Sequence, residues 1–225
     1  MIHPLWMLRN EVTRESYAEF VEATNRQDAH QPSTWLDEGR RLPANHVNFA
    51  SARAYCQHHG GDLPTEAQWE YAARSGAKDI MYPWGNDEAT CERVVLGDHQ
   101  CSLGRPRDVC SRPAGNSAQG ICDLAGNVWE WVRPAFLHHP DDRVPMYPGK
   151  PGTRKGDGAT DSEIRKGYFE YGPSGQNIPD SETVDIVRGG GHWMTDVFFN
   201  RARARFFLEK GERQANVGFR CIWPQ

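Results

Sequence analysis

The sequence has no apolar run that approaches the roughly 20 residues needed to cross a bilayer, so we expect no membrane-spanning helix. Its start, MIHPLWMLRN, lacks the apolar centre of a signal peptide. An excess of positive charge is also missing, because the net charge is −4 and the one basic run is RARAR at 201–205. Nucleic-acid binding normally requires a clearly basic face, so we expect no nucleic-acid partner.

The cysteines lack the Cys-x-x-Cys spacing of a structural zinc site, which makes such a site an unlikely use for them. There are six, and four of them lie between Cys91 and Cys122 in loop-like sequence. An even count in a loop-rich chain favours disulfides and an oxidising location such as the periplasm, the cell surface or the exterior. Six cysteines allow 15 pairings, and buried free thiols are the alternative.

The composition indicates one loop-rich domain over residues 1–225. The chain has 22 Gly, 15 Pro and 8 Trp, so large aromatic rings must supply much of the core. Residues 135–181 are rich in Pro, Gly, Asp and Lys and show no apolar period, which predicts a long surface insertion.

Apolar spacing predicts three helices followed by short strands. Helices are expected within 11–25, within 48–59 and from about 66 to 74, where Thr65 and Gln68 have the spacing of a capping box. Alternating β-branched and aromatic residues predict strands at 127–132, 184–188, 203–208 and 217–223. Helices first and a small antiparallel sheet later indicate an α+β fold.

Eight segments, in order, resemble the formylglycine-generating enzyme or sulfatase-modifying factor family. They are NEVTRESYAEF, NHVNFASARAYC, LPTEAQWEYAARSG, YPWGND, DLAGNVWEWV, VRGGGHW, RARARF and NVGFRC. The resemblance covers nearly the whole chain and implies a C-type-lectin-like fold with two to three helices. The family's usual entry segment is missing at the front, and the insertion at 135–181 is longer than the common pattern.

The segment DLAGNVWEWV is the family's calcium-binding motif, and the resemblance implies that Asp123, Gly126, Val128 and Glu130 hold a structural calcium ion. Ca²⁺ takes six to eight oxygen ligands, and a glycine-containing turn can aim several carbonyl groups at one point. The alternative is that Asp123 and Glu130 only cap turns and form hydrogen bonds. A second calcium site of the family falls within 91–113, where we match no ligands.

Family members that oxidise a cysteine to formylglycine bind copper through two cysteines that follow the Gly-Gly motif. Here that stretch reads GGGHWMTDVFFNRARARF, and no cysteine lies between Cys122 and Cys221. Met194 is a soft ligand near one vacated position, but packing is the better interpretation for one Met beside two Phe residues. His192 is similarly expected to form a hydrogen bond. We therefore assign no catalytic residue and lean towards a protein that is not an enzyme.

The resemblance also implies a disulfide between Cys56 and Cys221, the cysteines of the family's AYC and GFRC motifs. The family's other core disulfide has no counterpart, because Ala73 and Ala204 or its neighbour occupy those places. Related iron enzymes of sulfoxide formation take their histidines largely from an additional helical domain. The paired histidines at 58–59 and 138–139 show no ligand spacing and favour solvated loops.

The first functional hypothesis is a non-catalytic module that binds a protein or a small molecule near residues 189–216. Variable proteins of diversity-generating retroelements resemble this arrangement, with changeable residues between RGG-like and GFR-like flanks. The candidate contact residues are His192, Trp193, Met194, Asp196, Phe198, Phe199, Arg201 and Arg203, with Phe206, Phe207 and Glu209 beyond them. About half of these rings are expected in the core, because neighbouring residues of a strand face opposite sides.

Two further hypotheses remain open. One is an iron- or copper-dependent oxidase or oxygenase with a non-standard site, and the other is a regulatory domain of a larger protein. Strand alternation would place Arg201, Arg203 and Arg205 on one face, where they would bind an anionic ligand or, by default, pair with acidic residues of the insertion. Neither the ligand nor the oligomeric state follows from the sequence.

Overall fold

The computed structural model describes residues 4–26, 34–76, 78–97, 101–102, 104–133, 184–193, 197–209 and 211–225. The predicted insertion at 135–181 lies outside the described residues, as do Met194 and Asp196. No helix in these described ranges is long and apolar enough to cross a membrane.

Four α-helices occupy the first third of the chain: α1 (Arg14–Thr24), α2 (Trp35–Glu38), α3 (Phe49–His58) and α4 (Glu66–Ala73). Three of them begin at the side chain of a capping residue, namely Thr13 for α1, Asn48 for α3 and Thr65 for α4. The capping box of Thr65 and Gln68 is formed in both directions, which fixes the start of α4. Two short 3₁₀ helices follow at Pro113–Gly115 and Val197–Asn200.

The strands form two small sheets. In the first, β1 (Leu5–Met7) pairs antiparallel with β6 (Ile222–Pro224), so the two ends of the described chain lie side by side. The second has the order β4-β3-β2-β5, where β2 is Trp129–Val132, β3 is Val184–Arg188, β4 is Arg205–Glu209 and β5 is Val217–Gly218. Its β2–β5 pair is parallel and its other pairs are antiparallel.

The α+β prediction is confirmed, with differences in detail. The sheet is mixed rather than purely antiparallel, and the described residues contain α2 in addition to the three predicted helices. The predicted strand at 217–223 is two strands in different sheets, β5 and β6. Strand β4 begins at Arg205 instead of at residue 203, because Arg201 to Ala204 form a turn in which the Ala204 amide donates to the Arg201 carbonyl.

Aromatic rings fill the principal core. Tyr17 of α1, Trp35 of α2 and Tyr55 of α3 meet Phe219, which precedes β6, with Tyr17 lying 5.8–6.0 Å from the other three rings. A second cluster places Trp69 of α4 against β2, β3 and Leu124. A buried ring of this size removes roughly 150–250 Å² from water, so the four buried Trp residues, Trp35, Trp69, Trp129 and Trp131, supply much of the core.

All six cysteines form disulfides: Cys56–Cys221, Cys91–Cys101 and Cys110–Cys122. The first pair was implied by the family resemblance, and the structure confirms it. The other two pairs close short loops in the irregular middle of the chain, where little secondary structure is available to hold the backbone. Three disulfides fit an oxidising compartment.

Candidate functional site

A sharply turned backbone carries the DLAGNVWEWV segment into strand β2. Asp123, Gly126 and Asn127 all have left-handed φ angles, of 56°, 79° and 64°. Gly126 has no room for a larger residue, since an added Cβ would lie 2.5 Å from the Val95 carbonyl oxygen. The turn thus brings the backbone at Gly126 tightly against Val94 and Val95.

Glu130, in the fully buried strand β2, is surrounded by donors. Nε and Nη2 of Arg220 donate to its two carboxylate oxygens at 2.7 and 2.6 Å, and the Trp69 indole donates at 2.8 Å. Arg220 and Glu130 are both 0% exposed. A buried ion pair of this kind is tolerated because every charge has a partner.

Glu11 is a buried acidic residue of the site that the motifs did not reveal. Its carboxylate accepts from the Asn127 side chain at 2.6 Å and from the Val128 amide at 3.2 Å. It is the second residue of the NEVTRESYAEF segment, ahead of α1, and nothing local in that segment indicates its approach to Asn127. The Asn127 side chain also accepts from the Arg107 amide at 2.9 Å.

The site contains more buried negative charge than positive charge. Burial and the charges of Asp123 and Glu130 raise the pKa of Glu11 well above its ordinary value. Burial also raises the pKa of Asp123 to about 6, although the Cys110 amide donates to its carboxylate at 2.6 Å. Three carboxyl groups thus share one buried guanidinium, that of Arg220. A proton on Glu11 or a bound cation would correct the imbalance.

The segment offers carboxylate and backbone carbonyl oxygens, the ligand types that calcium accepts. Asp123 has one oxygen engaged by the Cys110 amide, whereas both oxygens of Glu130 are engaged by Arg220 and one of them also by Trp69. Calcium at Glu130 would therefore compete with these hydrogen bonds. Within the described residues, Glu130 does not join Asp123 in a group of three close metal ligands.

His192 lies in the interior, next to the same turn. It is 1% exposed, its amide donates to the Asn127 carbonyl at 2.7 Å, and its ring Nδ1 lies 2.9 Å from that oxygen. Burial lowers the pKa of the imidazole to about 4. The structure thus agrees with the expectation of a hydrogen-bonded histidine and places it beneath the surface.

Trp193 turns outward immediately after His192. It is 54% exposed, and its indole Nε1 donates to the Gly104 carbonyl at 3.1 Å. Phe198 and Phe199 are half-buried, and Phe199 packs on the principal core. The guanidinium of Arg201 lies 4.7 Å from the Phe198 ring centroid. We call the described candidate contact residues with exposed or half-buried side chains the Trp193 face: Trp193, Phe198, Phe199, Arg201 and Arg203.

The three arginines do not share a strand face, which corrects the expectation from alternation. Arg201 and Arg203 precede β4, and Arg205 is its first residue. Arg203 is 55% exposed and pairs with Asp79 at 2.9 Å, whereas Arg205 is buried against Glu66. The expected pairing with acidic residues of the insertion at 135–181 lies outside the described residues.

Phe206 and Phe207 lie on opposite sides of β4, as alternation predicts. Phe206 packs on the principal core, with its ring 5.8 Å from that of Trp129, and Phe207 packs on the cluster around Trp69. Both rings therefore belong to the core and not to the exposed candidate contact residues.

One group of three possible metal ligands comes together within the described ranges: Cys110, Cys122 and Asp123, with ligand atoms within 4.8 Å of one another. Both sulfurs of this group already form a disulfide, so they offer no thiolate. All six cysteines are in the same state, so none of them offers a thiolate to Cu(I).

An α+β scaffold with three disulfides, a buried carboxylate turn and an outward aromatic segment defines a protein of the formylglycine-generating-enzyme type. The model of the sulfatase-modifying factor enzyme 1-like domain matches residues 1–225, and the chain belongs to this family.

Curated relatives include both inactive and active proteins. The inactive C-alpha-formylglycine-generating enzyme 2 of Bos taurus is 38% identical over 109 residues, covering 45% of this chain and 36% of the relative. The hercynine oxygenase of Mycolicibacterium thermoresistibile is 38% identical over 207 residues, covering 85% of this chain and 41% of the relative. The chain thus spans less than half the length of either relative.

A solved structure with the same fold is Treponema denticola variable protein 1. The two chains superpose with a TM-score of 0.61 at 19% identity, covering 98% of this chain and 84% of the other. The likeness supports the fold, and with it the expected resemblance to variable proteins.

Proposed function

We propose that this chain is a non-catalytic binding module that uses the Trp193 face to hold a protein or a small molecule. The observation that carries the proposal is Trp193, a 54% exposed indole fixed by a hydrogen bond to Gly104 on a disulfide-bonded scaffold. A rigid exposed aromatic residue provides contact area at little cost in conformational entropy. Phe198 with Arg201 over its ring adds an apolar and a cationic contact.

The state of the cysteines supports a module without thiolate chemistry. Copper(I) sites of the family need a thiolate pair, and here each sulfur is bonded to another sulfur. The 38% identity to a relative named as inactive is consistent with this proposal.

The binding proposal is tested with a panel of sugars, amino acids and short peptides in thermal-shift assays. Each compound that stabilises the protein is then titrated into the Trp193→Ala and Trp6→Ala variants. Trp6 is the matched control, because it is 64% exposed but lies in β1. Loss of about tenfold or more in affinity for Trp193→Ala alone supports the proposal. Equal affinities in both variants would place binding elsewhere.

The proposal that the chain lacks catalysis has its own test. Purified protein is analysed for iron and copper, then incubated with a cysteine-containing peptide, oxygen and copper(I). We expect neither a stoichiometric redox metal nor an aldehyde in the peptide. Aldehyde formation at a rate above that of free copper would contradict the proposal.

A second candidate function is an oxygenase, favoured by the 38% identity to a hercynine oxygenase over 85% of this chain. This chain matches 41% of that relative, so the remaining parts of such an enzyme would have to come from additional sequence or from a partner. Iron-dependent oxygen consumption in the presence of hercynine would favour this candidate over the binding module.

We also propose calcium as a structural cofactor, held by Asp123, the carbonyl groups of Gly126 and Val128, and Glu130. The unbalanced charge of the buried carboxylates supports it. A bound calcium ion would stabilise the turn that positions Asn127 and, through it, His192. The alternative is a proton on Glu11, with no need for a metal.

Calcium at about 100 times its dissociation constant should stabilise the fold by about 2.7 kcal/mol, and a chelator should remove that gain. Asp123→Asn should abolish the calcium response yet remain folded, because Asn suits the φ of 56° and can still accept from the Cys110 amide. Differential scanning calorimetry with and without calcium measures both effects. An unchanged melting temperature in wild-type protein would favour the protonated Glu11.

A further inference from the structure

A cleft of about 540 Å³ lies between the segment that follows α2 and the loop at 105–112. Its lining residues are Glu38, Leu42, Arg105, Pro106, Arg107, Asp108, Ser111 and Arg112. We call it the arginine cleft. Its volume falls within the range of small-molecule sites and far exceeds that of a single water molecule.

The acidic residues of the arginine cleft are matched by arginines that do not line it. Glu38 accepts from Arg14 at 2.7 Å, and this hydrogen bond lowers the pKa of the carboxyl group. Asp108 lies 4.0 Å from the guanidinium of Arg41. The three lining arginines, by contrast, have no carboxylate of the described residues within 4.0 Å. The cleft therefore has an excess of positive charge.

Three polar atoms of the lining are buried without a hydrogen-bond partner. They are Nε of Arg107, Nε of Arg112 and Oγ of Ser111. Elsewhere on these side chains, Nη2 of Arg112 donates to the Cys101 carbonyl at 3.4 Å, and the Arg112 charge acts weakly on Asp123. A buried donor without an acceptor costs free energy, and these three donors belong to residues that line the same cleft.

The loop that carries these donors is held in place before any ligand arrives. The Cys110–Cys122 disulfide ties it to the start of the carboxylate turn, and the Val109 amide donates to the Arg41 carbonyl at 3.0 Å. The Arg107 backbone brackets the Asn127 side chain, donating to it at 2.9 Å and accepting from it at 3.3 Å. A preorganised set of donors loses little entropy when an anion binds.

We propose that the arginine cleft is a binding site for a small polar molecule that carries a phosphate, sulfate or carboxylate group. Guanidinium groups present paired N–H donors that match the oxygens of these anions. Leu42 and Pro106 supply the small apolar part of the wall, and the volume leaves room for the rest of the molecule. The site goes beyond the Trp193 face, since it uses none of the residues of that face.

The test is isothermal titration with inorganic phosphate, sulfate or acetate at constant ionic strength. We expect saturable binding of at least one anion at a single site, and the anion bound most tightly identifies the ligand chemistry. Arg107→Gln and Arg105→Gln should each weaken binding, with the double variant losing about tenfold or more. Arg105 is exposed, so its variant tests the proposal even if Arg107→Gln does not fold.

Arg53→Gln is the matched control, because it removes the same charge from a partly exposed position on α3 that pairs with Asp62 and lies in neither proposed site. Its affinity should stay within about twofold of wild type. The proposal is overturned if none of the three anions binds saturably to wild-type protein, or if Arg53→Gln loses as much affinity as the cleft variants. Either result leaves the Trp193→Ala comparison unaffected.

Discussion

Arg220 shows how one buried side chain holds several parts of the interior of this protein together. Its guanidinium donates to both oxygens of Glu130 and also to the carbonyl groups of Leu8, Arg9 and Cys122. Burial of a lone charge would be strongly unfavourable, and these acceptors remove that penalty. Because the acceptors come from residues 8–9 and 122–130, Arg220 links the start of the domain and the carboxylate turn to the end of the domain.

His192 provides a pH-dependent test at the residue scale. Its folded-state pKa of about 4 lies below the ordinary value near 6.5, so the unfolded chain takes up a proton first as the pH falls. The contribution of neutral His192 to the free energy of unfolding is therefore fully present above about pH 6.5 and is lost between about pH 6.5 and 4. The full difference corresponds to about 3 kcal/mol.

Comparison with His192→Asn isolates this contribution, because the raised pKa of Asp123 acts in the opposite direction on wild-type stability. At pH 7 the variant should be less stable than wild type, since it loses packing next to Trp193. The gap should narrow by up to about 3 kcal/mol on going to pH 4. Urea unfolding at several pH values measures this difference in the free energy of unfolding. A difference that does not change with pH would show that burial does not keep the imidazole neutral.

Helix α4 is the element that connects the helical part of the chain to the sheet. Glu66 accepts from Arg188 of β3 at 2.6 Å and contacts Arg205 of β4, while Glu70 accepts from Arg188 at 2.7 Å. Trp69 lies between them in sequence and reaches β2 through Glu130. One face of an eight-residue helix thus contacts three strands.

The two acidic residues of α4 should differ in what they contribute. Glu66→Gln leaves the buried Arg205 without its ion-pair partner, which should cost about 3–5 kcal/mol. Glu70→Gln changes a carboxylate that is 28% exposed, and Arg188 keeps Glu66 and the Ala202 carbonyl, so the cost should be about 1 kcal/mol or less. Free energies from urea unfolding give the comparison. Equal losses of unfolding free energy would mean that Glu66 and Glu70 stabilise the fold to the same extent.

Local sequence chemistry predicted the helices better than the contacts among them. Thr13, Asn48 and Thr65 mark helix starts through their own side chains, so caps and spacing located α1, α3 and α4 within a few residues. The pairing of Glu66 with Arg188 spans 122 positions, and no local pattern encodes it. Glu11, the arginine cleft and the burial of His192 were missed for the same reason.

At the scale of the whole molecule, the family resemblance predicted one of the three disulfides, and the sequence did not predict the other two. Family resemblance supplied Cys56–Cys221, whereas the sequence alone left the other four cysteines with three possible pairings. The structure pairs them within the short loops, Cys91 with Cys101 and Cys110 with Cys122. Only Cys56–Cys221 ties distant parts of the chain, where β1 also pairs with β6.

Removal of these disulfides should destabilise the fold according to the length of chain that each closes. In the loop-entropy model a separation of 165 residues corresponds to about 5 kcal/mol and a separation of 10 to about 3 kcal/mol. The Cys56→Ala, Cys221→Ala variant should therefore unfold at lower urea concentration than Cys91→Ala, Cys101→Ala. Equal losses of stability in the two double variants would show that the length of the closed loop does not set what these disulfides contribute.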